Sequence, residues 1–234
     1  MGHEPMHARA DGEAGHEVPA SSQTRLNMSS RILHYLPIIH TPTDLGSLAG
    51  AVVSGVDAPS LERRTRAVDA AWERIETWLA SLDAEFAAAT LVIYQDGLPV
   101  CDAGSAVSEP KIVRELAESG SRNHRLLQTL MQRGATVMGT ESPALLVQEL
   151  ELARSAVTPH ARPDPRVGAR ARTVLEMRDR FIAARINDTL PINKRGVLLL
   201  GALHDPSSWL ADDIKIDYPL GLPRRPGTRQ GAHA

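Results

Sequence analysis

Apolar positions recur along this chain in two rhythms: short, nearly unbroken runs, and longer stretches stepped by three and four residues. The short runs at residues 32 to 40 (ILHYLPIIH), 90 to 94 (TLVIY), 135 to 138 (ATVM) and 196 to 201 (GVLLLG) read as strands. The last is so purely apolar that it predicts a strand covered on both faces. Residues 213 to 218 (DIKIDY) alternate, as an edge strand does. Between these runs the period changes to that of helices. Leu61, Thr65, Val68, Trp72, Ile75, Leu79 and Leu82 form one stripe, spaced to lie on a sheet or to meet a second copy in a coiled coil, with the sheet preferred. Residues 109 to 133 predict a helix in two pieces broken near Gly120, burying Leu126, Leu127, Leu130 and Met131. Ser142 followed by Pro143 is a helix start, and the helix that follows should bury Leu145, Leu146, Leu150, Ala153 and Val157. Pro159, Pro163 and Pro165 then predict an exposed connection with no helix.

The alternation of strands and helices implies an α/β fold: a mainly parallel sheet of about five strands, right-handed crossovers and helices on both faces. A single domain over residues 30 to 220 is expected. Residues 1 to 29, without periodicity, and the Arg-, Pro- and Gly-rich residues 221 to 234 read as disordered tails, and Met28 offers a second candidate start besides Met1. His3, His7 and His16 are too scattered to predict a metal site.

One position breaks the pattern. Val174, Leu175, Phe181, Ile182 and Ile186 define the buried stripe of a helix that ends before Pro191, and Arg178 falls inside that stripe. An inward guanidinium needs a carboxylate, a carbonyl or a ligand, and the expected partner is Glu141 first and Asp96 second. Ligands of parallel sheets bind at the carboxyl ends of strands, which directs attention to His40, Asp96, Glu141, and His204 with Asp205. Each has a plainer role: strand cap, turn residue, helix N-terminal acid, or cap of the segment at Pro206. For Asp96 with Gly97, two readings stand: a hairpin into residues 98 to 101, or a strand end that presents the acid.

Composition removes several classes. A net charge of -2 and a pI near 6.5, without a basic stripe, argue against nucleic acid. Aromatics at 3% leave too few rings for a base-stacking platform or an aromatic cage. A lone cysteine, Cys101, excludes internal disulfides and cysteine-rich metal sites, and suits the cytoplasm. No apolar run approaches the ~20 residues of a membrane span. The glycine fingerprints of nucleotide sites, the serine elbow and the HExxH zinc helix are all missing.

Two chemistries stay open for the strand-end residues. Imidazoles and a carboxylate at one edge can hold a divalent metal with an open position. Equally, a histidine can act as general base while Arg178 steadies an oxyanion.

The motifs also resemble a known superfamily. A first strand ending in His40, Gly139-Thr140-Glu141, RDRFIAARI from Arg178, and GxxH from Gly201 to His204 are similar to the superfamily that joins erythromycin esterases, TraB pheromone-shutdown proteins, Tiki proteases and ChaN-type haem-binding proteins. The likeness spans about residues 32 to 218. It implies His40, Glu141, Arg178 and His204 as catalytic pocket residues, with His40, Glu141 and His204 as the ligands of any metal and Asp96, Asp179 and Asp205 beside them. His40 lacks the glycine of the family's first GxxH, and Asp179 stands where many relatives carry Asn. The expected activity is a hydrolase, metal-assisted or not, acting on an ester or amide of a small molecule or peptide. The alternative is a ligand-binding or regulatory protein of the same fold, and a homo-oligomer remains compatible with either.

Overall fold

The computed structural model describes residues 30–39, 58–85, 87–156, 165–192 and 194–223. Among them, β1 (Arg31–Ile38), β2 (Leu91–Pro99), β3 (Thr136–Glu141), β4 (Arg195–Gly201) and β5 (Ile214–Asp217) form one parallel sheet in the order β3-β2-β4-β1-β5. Helices α1 (Ala58–Glu85), α2 (Glu109–Glu118), α3 (Arg122–Gln132), α4 (Pro143–Ala156) and α5 (Pro165–Thr189) complete the α/β domain. Among the described residues, no helix is long and apolar enough to cross a membrane.

The apolar run of β4 occupies the middle of the sheet, which is why it carries no polar face. Val197 and Leu199 point into a core with Leu36, Ile93, Trp72, Ile75, Val113 and Leu127, on the side of α1, α2 and α3. Leu198 and Leu200 point the other way, against Leu33, Tyr35, Val92, Tyr94 and the α5 residues Ile182 and Ile186. From Val68 to Leu82 the stripe of α1 is buried within its own chain, with Trp72 donating its indole N–H to the Ile39 carbonyl at 3.2 Å, whereas Leu61 is half-buried and Thr65 exposed. Arg122 forks onto both oxygens of Glu76, at 2.7 and 2.8 Å, and ties α3 to α1. The break near Gly120 is a left-handed residue (φ 101°), after which Ser121 caps α3 by accepting from the His124 N–H.

A second arginine closes the opposite, amino-terminal edge of the sheet. Arg31 forks onto both oxygens of Asp213 at 2.8 and 2.9 Å, while its Nη1 donates to the carbonyls of Asn187 and Leu190 at the end of α5. A cation at the carbonyl end of a helix satisfies groups that have no partner within the helix itself.

Three expectations need correction. Pro165 does not bar a helix: it is the first residue of α5, where its missing N–H removes no helical bond. Pro159, Pro163 and Val157 lie outside the described residues, as do residues 1–29, His40 and residues 224–234. Leu146, Leu150 and Ala153 are only half-buried, and of the residues expected to be buried on α4 Leu145 alone is fully covered among the described residues. Finally, Asp96 and Gly97 make no hairpin; β2 runs through them to Pro99.

Candidate functional site

The irregularity that places Asp96 begins in β2. Its register against β3 shifts between Gln95 and Pro99, and Gly97 takes a left-handed conformation (φ 74°) that a side chain would strain. The opposing strand accommodates this bulge at Gly139, where a Cβ would lie 2.3 Å from the Pro99 carbonyl oxygen. Thr140 donates its hydroxyl to the Gln95 carbonyl at 2.7 Å and pins the same place. The outcome is that Asp96 and Glu141, from adjacent strands, both turn toward α5.

Arg178 meets them there, as its place on the stripe predicts. Its Nε donates to Glu141 Oε2 at 3.0 Å, and its Nη2 donates to Glu141 Oε1 at 2.8 Å and Asp96 Oδ1 at 3.0 Å. Its Nη1 donates to Glu149 Oε1 at 2.6 Å. Asp96 accepts a further bond from the Gly201 N–H at 2.8 Å, which locks it to the end of β4. Burial alone would weaken the proton affinity of Arg178, but the hydrogen bonds and the negative field of Glu141, Asp96 and Glu149 hold it above its ordinary value. Glu141 responds oppositely. Burial pushes its carboxyl above the usual range, and Arg178 only partly offsets that push.

His204 stands beside this cluster. Its Nδ1 lies 2.5 Å from Asp179 Oδ1, and its Nε2 lies 4.0 Å from Asp96 Oδ1. Asp179 is the neighbour of Arg178 on α5, and its second oxygen accepts from the Asp205 N–H at 3.0 Å. The turn after β4 is thus tied to the helix through one carboxylate. Tyr35 donates its hydroxyl to the His204 carbonyl at 3.4 Å from beneath. Burial presses the imidazole toward its neutral form, yet the bond from Asp179 and the charge of Asp96 win, and its pKa is raised.

The residues predicted for the site therefore divide. Asp96, Glu141, Arg178, Asp179 and His204 come together, all buried. Asp205 serves the turn, accepting from the Ser207 hydroxyl at 2.5 Å and capping the short helical segment Pro206–Trp209. His40 lies outside the described residues. Glu149 was not foreseen: it lies in phase with Leu145, Leu146, Leu152 and Ala153 on α4, but its side chain is half-exposed, and an acid at such a position ordinarily faces solvent. Cys101 is held at the Glu109 carboxylate, and burial pushes its thiol above the ordinary value, away from a nucleophile's range.

Of the expected metal ligands, His40 lies outside the described residues, so the arrangement bears only on Glu141 and His204. Both oxygens of Glu141 already receive N–H bonds from Arg178, and a guanidinium in that position would repel a divalent cation. Among the described residues, no group of three His, Cys, Asp or Glu side chains is placed to hold a metal ion.

In comparisons with known proteins, no family model, no curated protein and no solved structure matches this chain. The case for its function accordingly rests on the site itself.

Proposed function

We propose that the protein is a hydrolase that cleaves an ester or amide at the carboxyl edge of its sheet, with His204 as general base and Arg178 as the group that receives the developing oxyanion. The observation that carries this reading is the pairing of His204 with Asp179 immediately beside the Arg178 cluster. A carboxylate on Nδ1 fixes the tautomer that leaves Nε2 free to accept a proton, and it steadies the imidazolium that results. In the reaction, Nε2 takes a proton from water while the water oxygen bonds to the acyl carbon. The carbonyl electrons move onto oxygen, facing Arg178. As the carbonyl reforms, the bond to the leaving alcohol or amine breaks, and the imidazolium returns the proton to it. Asp96 helps to orient both partners, since it contacts Arg178 and faces His204.

A second reading keeps the site but not the turnover: a small-ligand-binding or regulatory protein. It is favoured by the depth of the imidazole, 5% exposed, which limits the approach of water. Assay of p-nitrophenyl acetate and short acyl amides with the wild-type chain and His204→Gln separates the two. Hydrolysis that falls about 100-fold or more in the variant supports the enzyme. Equal rates in both proteins, or none in either, would remove His204 as a base and leave the binding reading.

A further inference from the structure

We propose that Glu149 is a displaceable cover over the ligand-facing edge of Arg178, so that Nη1 is the nitrogen an incoming acyl oxygen takes. The inference rests on the reading of Arg178 as a ligand-contacting group. Its starting point is the inequality of the three carboxylates around that guanidinium.

Glu141 and Asp96 cannot leave. Glu141 is 0% exposed on β3, and Asp96, at 5%, is held from its other oxygen by the Gly201 N–H. Together they occupy Nε and Nη2. Nη1 alone is directed at a side chain with 48% exposure, carried on a helix that is itself largely solvent-facing. A molecule arriving from solvent therefore meets the guanidinium on the Nη1 side. Glu149 can withdraw by changing side-chain rotamers, without any movement of the backbone.

Charge makes that withdrawal inexpensive. Asp96 and Glu141 already exceed the single charge of Arg178, and Glu149 adds a third carboxylate to a buried cation that needs at most one. An uncharged acyl oxygen in its place would keep the hydrogen bond to Nη1 and remove one surplus negative charge. The site thus selects neutral esters or amides over substrates that carry a carboxylate near the scissile bond.

The test compares wild type with Glu149→Ala, a substitution at a half-exposed position that leaves the core untouched. Hydrolysis of p-nitrophenyl acetate should show a KM about tenfold lower in the variant with kcat little changed. Acetamide offers Nη1 an uncharged acyl oxygen, so it should compete with the ester in the variant and leave the wild type nearly unaffected at the same concentration. A purely structural Glu149 would lower Tm and leave both KM and the acetamide response at wild-type values, and that result overturns the proposal. If neither protein hydrolyses the ester, the hydrolase reading has failed. Acetamide binding followed by NMR titration then decides the cover on its own. Binding to Glu149→Ala about tenfold tighter than to wild type supports it, and equal affinity or no binding to the variant overturns it.

Discussion

A half-buried arginine and a buried one sit at opposite edges of the same sheet, and their surroundings differ in kind. Arg31, at the amino edge, has one carboxylate and two helix-end carbonyls as partners. Every one of those groups needs a donor, and the charges balance one to one with Asp213 half-exposed. Arg178, at the carboxyl edge, faces three carboxylates, two of them buried on strands, beside a histidine held by a fourth. Among the described residues, the bonds of that guanidinium go to side-chain carboxylates rather than to helix-end carbonyls. An arginine that only holds the fold together has little use for three acids, and this excess is what supports the proposed site at the carboxyl edge.

The largest test of this contrast is Arg178→Met. It strands Asp96 and Glu141 in the interior, and denaturant unfolding at pH 7 should show a loss of about 3–5 kcal/mol. Because burial already raises the Glu141 carboxyl, protonation relieves part of that loss, and the deficit should shrink near pH 5. Adding Glu141→Gln should recover stability but no turnover. A deficit no larger than that of the Arg31 variant would erase the distinction between the edges.

Next in size is Asp179→Asn, expected to slow ester hydrolysis about 10²- to 10⁴-fold while Tm shifts little. Asp179 raises the pKa of His204, so the residual activity should also lose its acidic limb at a lower pH than in the wild type. A limb that stays in place would mean that another group supplies the base.

Arg31→Met should cost about 1–2 kcal/mol through the lost bonds to the α5 carbonyls, with hydrolysis unchanged. A fall in turnover at constant stability would show that the amino edge communicates with the site.

The smallest effect is a difference in pH response. His204 has a folded pKa above its ordinary 6.5, so its contribution is complete below that value and disappears as pH rises through the folded one. Asp213 is held below its ordinary 3.8 by Arg31, so its contribution is present above 3.8 and disappears as pH falls through the lower, folded value. The carboxyl edge should therefore weaken toward alkaline pH and the amino edge toward strong acid. Chemical-denaturation profiles of wild type and His204→Gln between pH 5 and 8 check the first half, since the variant should lose the slope.

Much of this was legible in the chain. The phase of α5 is set by residues with no alternative to burial, Ile182 and Ile186, and it carried Arg178 inward with them. Strand β4 was readable because a run of four large apolar residues, Val197 to Leu200, leaves no polar face and so suits a central strand. Asp96 was ambiguous for a local reason: Asp-Gly is a turn signal within a few residues, and only the fit of Gly139 against Pro99 turns it into a bulge. The pairing of Asp179 with His204 and the reach of Glu149 to Arg178 depend on how α4 and α5 are set against the sheet, which periodicity within one helix does not encode.

The order of the strands also decides when the site comes into being. Strand β1 is synthesised first among the five, yet its neighbours are β4 and β5, the last two, with Ile32 opposite Arg195. Until β4 emerges, β1 has no partner, β2 can pair only with β3, and their apolar edges wait uncovered. Pairings this distant in sequence are slow to form, and the waiting edges invite chaperones or aggregation. Insertion of β4 ends that interval. The same step brings the Gly201 N–H to Asp96 and carries His204 to Asp179, so the polypeptide acquires a closed core and the paired histidine in one event.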